Sequence, residues 1–596
     1  MGQTLKHRSD ANQKDTWAIE DYFKTIEEFE EKFQSFANSL ENLDQYKNQL
    51  QQSKENLLHC LEEQNRLSLD FDHLYTYATM KFHEDSDNSK SQTLSLRCDS
   101  LLTKFSEKTA FVVPEIMEIP SEVLENYLQD EAFAKYRHFF HSLLRKKSHT
   151  LSQKEEELLA KTGELTSSAE TIFAMINDAD MVFADIKDGK GETVALTKGR
   201  YITFLEEHNR DVRKAAFESL YQSYQAQRNT LASTYYASVK SDVFQSEVRN
   251  YDSAQAMALH DDNIPLSVYD TLVETVHAHL PLLHRYLAIR KKELNLDELH
   301  MYDLYAPLVK EVDEKISYDS AKEQVRASLK ILGTEYTEAL EKGFNERWID
   351  VYENKGKRSG AYSWGSFGVH PFVLLNHNDT INSMFTLTHE MGHALHSYFT
   401  WKTQPYLYSG HKIFVAEVAS TCNEGLLMQH LLQSTTDKKM RKYLINYFLE
   451  QFRGTLFRQT MFAEFESITH RMVENGEPLT ADGLCEIYRK LNRQYFGDDI
   501  ILDEAIDIEW ARIPHFYNAF YVYQYATGFS AAMALTKKIF RKEVGAKEAY
   551  LAFLSKGDSE YSIDLLKGAG VDLSSPTPIK EALELFKTLL DEFEEL

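Results

Sequence analysis

Apolar residues at Ile26, Phe29, Phe33, Phe36, Leu40 and Leu43 are spaced alternately three and four apart, which places them on one face of an amphipathic helix. Helical patterning continues through Leu50, Leu57 and Leu61, within a stretch from about 17 to 82. Such a run can form a coiled-coil arm, but no proline or glycine block sets it apart, and packed antiparallel helices are the preferred reading. Residues 183–199 (FADIKDGKGETVALTKG) interrupt the pattern with Gly189, Gly191 and Gly199 beside alternating apolar and polar residues, the signature of a small hairpin. This hairpin marks the expected boundary between an N-terminal helical domain, 1–195, and a second domain, 196–596. Helical patterning resumes at Tyr201 and dominates to the end, except at 359–375 (SGAYSWGSFGVHPFVLL). There the glycines and the aromatic and β-branched residues predict a short sheet just before the segment that carries the chemistry. The fold class expected is mainly α, a large two-lobed helical body with a small β-sheet beside one key helix. No internal repeat or low-complexity tract is evident.

A chain of 596 residues exceeds one ordinary domain, in keeping with two lobes. Its 43% apolar and 12% aromatic content belongs to a globular protein, and only 23 Gly and 11 Pro favour long helices over frequent turns. The formal charge of −26 argues against nucleic acid and anionic membrane surfaces as partners. The N-terminal stretch MGQTLKHRSDANQKDTW has no apolar core of the kind a secretion signal needs, and Lys6 stands where a myristoylation signal wants Ser or Thr. No apolar run approaches the ~20 residues that span a bilayer. Cys60, Cys98, Cys422 and Cys485 form no CxxC pair, so neither a disulfide framework nor a thiolate metal site is indicated. The cytoplasm is the expected location.

The segment 386–396 (TLTHEMGHALH) contains HExxH. His389 and His393, four apart, stack on one helical face and can share a metal ion, while Glu390 can act as general base towards a water bound there. The bland alternative is an ordinary helix surface. Zinc suits neutral imidazoles and, at a catalytic site, takes three protein ligands and leaves a fourth position open; cobalt or manganese would accept the same donors. The metzincin pattern HExxHxxGxxH fails, because His396 and Phe399 occupy its last two defined positions. A gluzincin draws its third ligand from a following helix, and Glu417, 24 residues beyond His393, fits after a turn around 405–410. Glu424, seven further on and on the same face, is either an acceptor that orients a ligand histidine or a solvated charge. His396 falls a further turn along and is expected to be structural or substrate-facing, and Cys422 to be a buried small residue.

HExGHxxH followed by FVAEVAST resembles oligoendopeptidase F, within the thimet oligopeptidase and neurolysin group. The resemblance also includes GKRSGAYSWG at 356–365, the run from HPFVLLNHN at 370 through HALHS at 397, YSGHKIFVAEVAST at 408–421 and HFYNAFYVYQYATGFSAA at 515–532. It implies a helical body divided by a deep substrate channel, one zinc ion per chain, and internal cleavage of short unfolded peptides. By position it assigns His515 and Tyr521 to the developing oxyanion, with Tyr525 as a companion on the same helical face; Tyr517 and Tyr523 crowd the same segment. Where mammalian members have a glycine-rich stretch between the histidine and the tyrosine, this chain has FYNAF. The implied reaction uses zinc and Glu390 to activate water, and Glu390 then passes the proton to the leaving amine. Rival readings are a non-enzymatic helical scaffold and an exopeptidase, such as a carboxypeptidase, on the same zinc framework; no GxMEN-type aminopeptidase motif is present.

Overall fold

The N-terminal apolar periodicity becomes a helix at Ile26–Ser39 that tightens into a 3-10 segment at Leu40–Tyr46. Thr25 caps its start by accepting the Glu28 amide at 3.3 Å. In this computed structural model, which describes residues 5–309 and 315–596, the chain is mainly helical. It divides into two compact units, each assembled from three stretches of sequence. The first comprises Met1–Ser148, Glu314–His430 and Leu535–Gly570; the second comprises His149–Asp313, Leu431–Ala534 and Val571–Leu596. The boundary expected at 195/196 lies inside the first stretch of the second unit, so it separates consecutive lengths of chain rather than compact bodies.

In the first unit the helices Ile26–Ser39, Lys54–Glu84 and Ser89–Thr109 pack together, not as a free coiled coil. Phe29, Phe36, Leu40 and Leu43 are buried with Leu67, Phe71, Leu74 and Phe105, and the same core takes in Phe372 and Leu374. Ile26, at the helix start, is exposed instead. Phe372 and Leu374 belong to the sheet expected before HExxH. Phe372–Leu374 is its central strand, paired antiparallel with Tyr362–Trp364 and parallel with Ile349–Asp350. Phe372, Val373 and Leu374 are all fully buried, which is why this strand reads as an unbroken apolar run rather than an alternation.

After the sheet, Thr380 caps the long helix Ile381–Thr403 by accepting the Ser383 amide at 3.1 Å. Pro405 follows its end, and the chain returns as the helix Ile413–Ser434. The two helices meet backbone to backbone at Gly392, where a Cβ would stand 2.5 Å from Ser420 Cα. The last stretch of the unit lies against both: Thr400 Oγ1 donates to Leu554 O at 2.9 Å, and Tyr550 Oη donates to Ala419 O at 3.4 Å.

The second unit contains the hairpin Ile186–Lys187 with Thr193–Val194, antiparallel as its sequence suggests. Its helices include Arg210–Ala226, Arg228–Val248, Leu266–Ala278, Arg458–Glu474 and Ala481–Phe496. A two-residue parallel pairing of Leu299–His300 with Ile500–Ile501 had no sequence signal. At the heart of this unit Glu509, 3% exposed, accepts from Arg458 at 2.7 Å, Arg512 at 2.9 Å and Tyr221 at 3.1 Å. No helix among the described residues is long and apolar enough to cross a membrane.

Candidate functional site

His389 and His393 project from one face of Ile381–Thr403, and Glu417 meets them from Ile413–Ser434. His389 Nε2 and His393 Nε2 are 3.2 Å apart, and Glu417 Oε2 lies 3.3 Å and 3.5 Å from them. Metal bonds of ~2.0–2.1 Å in tetrahedral geometry require ligand atoms ~3.3–3.4 Å apart. The three donors thus form one face of the tetrahedron that a zinc ion needs, with the fourth vertex left for a non-protein ligand. Two imidazole nitrogens and a carboxylate also suit that ion chemically, so the residues fit it. They are the only such group among the described residues.

Glu424, two turns beyond Glu417, accepts from His389 Nδ1. With Nδ1–H held by that carboxylate, Nε2 faces the other two donors. Burial opposes charge on His389, but Glu417 and Glu424 outweigh it and push its pKa up to about 10. Burial likewise opposes ionisation of Glu417, yet His389 and His393 hold its carboxyl far below the ordinary range. Both shifts express the same local field, one that favours a cation among these side chains. Glu390 is 7% exposed. Burial raises its pKa, with the two histidines opposing and Glu417 and Glu424 adding to the rise.

Glu390 and the three donors line a cavity of about 470 Å³, together with Tyr362, Ser363, His396 and His411. His396 is excluded from the donor triangle, as its position along the helix suggests; it is buried, and its ring lies 3.7 Å from that of His411. Because Thr400 Oγ1 gives its one proton to Leu554 O, His411 Nε2 is the donor in its 3.0 Å bond to that hydroxyl. Burial keeps His411 neutral, with a pKa of about 4, and holds His396 well below its ordinary value. Sequence reasoning assigned no part to His411, Tyr362 or Ser363. All three lie inside segments that carry the family resemblance, which was the available signal. Cys422 is buried, as expected.

His515, Tyr521 and Tyr525 belong to the second unit, where they form a cluster of their own. Ring centroids of His515 and Tyr521 are 6.0 Å apart, those of Tyr521 and Tyr525 5.5 Å, and Tyr525 Oη is 3.4 Å from His515 Nε2. The neighbouring aromatics are packing residues. Phe516 and Tyr523 are buried. Tyr517 stacks on Phe173 at 4.4 Å and donates at 2.9 Å to Thr234 Oγ1, whose own proton goes to Leu231 O. His515 is exposed and Tyr521 and Tyr525 half-buried, so the crowded segment separates into anchors and presented side chains.

Comparison with known proteins gives the site its context. A family model described as peptidase family M3 matches residues 203–585, which contain the donor triangle and the His515 cluster, and one described as oligopeptidase F matches 115–183. The chain is 47% identical over 593 residues to oligopeptidase PepF of Bacillus subtilis, covering 99% of this chain and 88% of that protein. It is 42% identical to group B oligopeptidase PepB of Streptococcus agalactiae, covering 99% and 98%. The crystal structure of oligoendopeptidase-F from Enterococcus faecium superposes with a TM-score of 0.76 at 39% identity, over 96% of this chain and 99% of that one. Family models spanning most of the sequence, and relatives that match it almost end to end, make this chain a member of peptidase family M3.

Proposed function

We propose that this M3 peptidase hydrolyses internal bonds of short, unfolded peptides with one zinc ion held by His389, His393 and Glu417. The observation that carries the reading is the donor triangle, with edges of 3.2, 3.3 and 3.5 Å around a common centre. A zinc ion there would polarise a peptide carbonyl and acidify a water. Glu390, buried beside the donors, takes up the proton that water gives and returns it to the departing amine. The raised pKa that burial imposes on Glu390 suits a carboxylate that must hold a proton between those two events. Glu424 keeps His389 in the ligating tautomer. His515 and Tyr521, with Tyr525 alongside, supply hydrogen-bond donors to the oxyanion. The preference for short peptides and internal bonds follows the relatives, which are named oligopeptidases and oligoendopeptidases. The formal net charge of −26 adds a bias against polyanionic partners.

The test is metal content, together with cleavage of an end-blocked, internally quenched peptide, in the wild-type protein and in Glu390→Gln. One zinc in both proteins with internal cleavage only in the wild type is the expected result. Cleavage confined to peptides with a free terminus would identify an exopeptidase. Absence of both metal and cleavage would leave a helical scaffold.

A further inference from the structure

Phe520, immediately before Tyr521, has φ +57°. That is the left-handed region, where a bulky side chain is a genuine outlier. The conformation persists because its surroundings over-determine it. The Phe520 ring is 3% exposed, 4.6 Å from the His470 ring and 6.0 Å from that of Tyr269, and its amide donates to Glu466 Oε1 at 3.0 Å.

Glu466 is unusual in its own right. It is fully buried, and its second carboxyl oxygen, Oε2, has no hydrogen-bond partner among the described residues. Burial drives its pKa well above the ordinary carboxylate range; the Phe520 amide opposes the rise and Asp242 adds to it. A buried polar atom left unpaired works against stability, and an apolar side chain of similar size would fill the site without that cost. What the carboxyl does achieve is to hold one backbone N–H, at the strained residue that precedes Tyr521 of the His515 cluster. Tyr521 then stands between two buried neighbours, Phe520 and Val522, so the turn fixes where its ring is presented.

We propose that Glu466 is a positioning residue: its bond to the Phe520 amide locks the left-handed turn that presents Tyr521. The proposal rests on the reading of Tyr521 as a donor to the reaction. A neutral carboxyl acts here only as an acceptor, so Gln can replace it. Leu fills the same volume but leaves the Phe520 amide unpaired, and the backbone is then free to leave the strained region.

Steady-state peptide cleavage by Glu466→Leu, Glu466→Gln and Tyr521→Phe, with amide hydrogen exchange across 515–525, tests this. Glu466→Leu is expected to lower kcat about 100-fold with little change in KM, the scale of a displaced oxyanion donor. It should also lose exchange protection at the Phe520 amide, while Glu466→Gln keeps both. Wild-type kcat in Glu466→Leu, with kcat lowered in Tyr521→Phe, overturns the positioning role alone. Wild-type kcat in Tyr521→Phe overturns the donor reading, and the role of Glu466 with it. Should Glu466→Leu not fold, Phe520→Gly and Phe520→Ala read the same turn. Both remove the ring, but only glycine takes a positive φ without strain. The glycine variant is therefore expected to be the more active, and equal kcat values in the two would overturn the proposal.

Discussion

Gly392 sits inside HExxH, but its importance comes from the neighbouring helix. A methyl group there would lie 2.5 Å from Ser420 Cα, 2.9 Å from Ala419 O and 3.0 Å from Ser420 N, all of them backbone atoms that cannot rotate away. Ordinary contact begins at 3.4 Å, so in Gly392→Ala the helix Ile413–Ser434 must retreat by roughly 1 Å. Glu417 lies three residues from Ser420 and moves with it. The 3.3 and 3.5 Å edges that Glu417 contributes to the donor triangle then lengthen, against a tolerance of only about ±0.2 Å at a metal site. Global stability is a poor readout, because alanine gains roughly 1 kcal/mol of helix propensity while overpacking costs roughly 1–3 kcal/mol. Zinc affinity is the discriminating quantity. Its loss should reach at least the roughly 10–100-fold seen when an orienting partner is removed, and cleavage should fall in parallel. Competition against a chelator, with thermal unfolding of the metal-free protein as control, measures it. A folded Gly392→Ala protein that binds zinc as tightly as the wild type would refute the claim that this close approach sets the triangle.

Two further outcomes follow from the geometry. Glu424→Ala should weaken zinc binding roughly 10–100-fold by freeing the His389 tautomer, with Glu424→Gln in between because its carbonyl still accepts; identical affinities in all three proteins would refute the orienting role. In the second unit burial alone would raise the pKa of Glu509, but Arg458 and Arg512 override it and hold it at about 2, against ~4.3 in an unfolded chain. Because the folded value is the lower one, the stabilisation is complete above ~4.3 and lost as pH falls towards about 2. Denaturant titrations across that window should show a steep decline in the wild type and a flatter one in Glu509→Gln, which starts less stable, by at most roughly 3–5 kcal/mol, because two half-buried cations lose their partner. Parallel curves would refute the linkage.

The parts of this molecule legible in the sequence are those governed by short periods. A spacing of four from His389 to His393 and of seven from Glu417 to Glu424 is close to one and two turns of a helix, so shared faces could be read directly. The hairpin and the sheet before HExxH were signalled by glycine and β-branched clusters. Pairings between remote segments left no such trace: Leu299–His300 with Ile500–Ile501 is two residues long and crosses two hundred positions. Nor does any local pattern mark Glu466, whose partner is an amide more than fifty residues away. At 515–525 the sequence offers a crowd of similar rings, and only packing against Phe173, Thr234 and Tyr269 tells anchors from presented side chains.

The interleaved make-up of the first unit also bears on how the chain is made. A ribosome that has released residue 430 has delivered every donor of the triangle, yet not 535–570, whose Tyr550 and Leu554 brace the two helices that carry them. Until that last stretch emerges, the unit lacks part of its interior, and the two helices lack the contacts that Tyr550 and Leu554 make with them. A chain cut short before residue 535 would therefore carry all three donors without the segment that packs against the helices holding them.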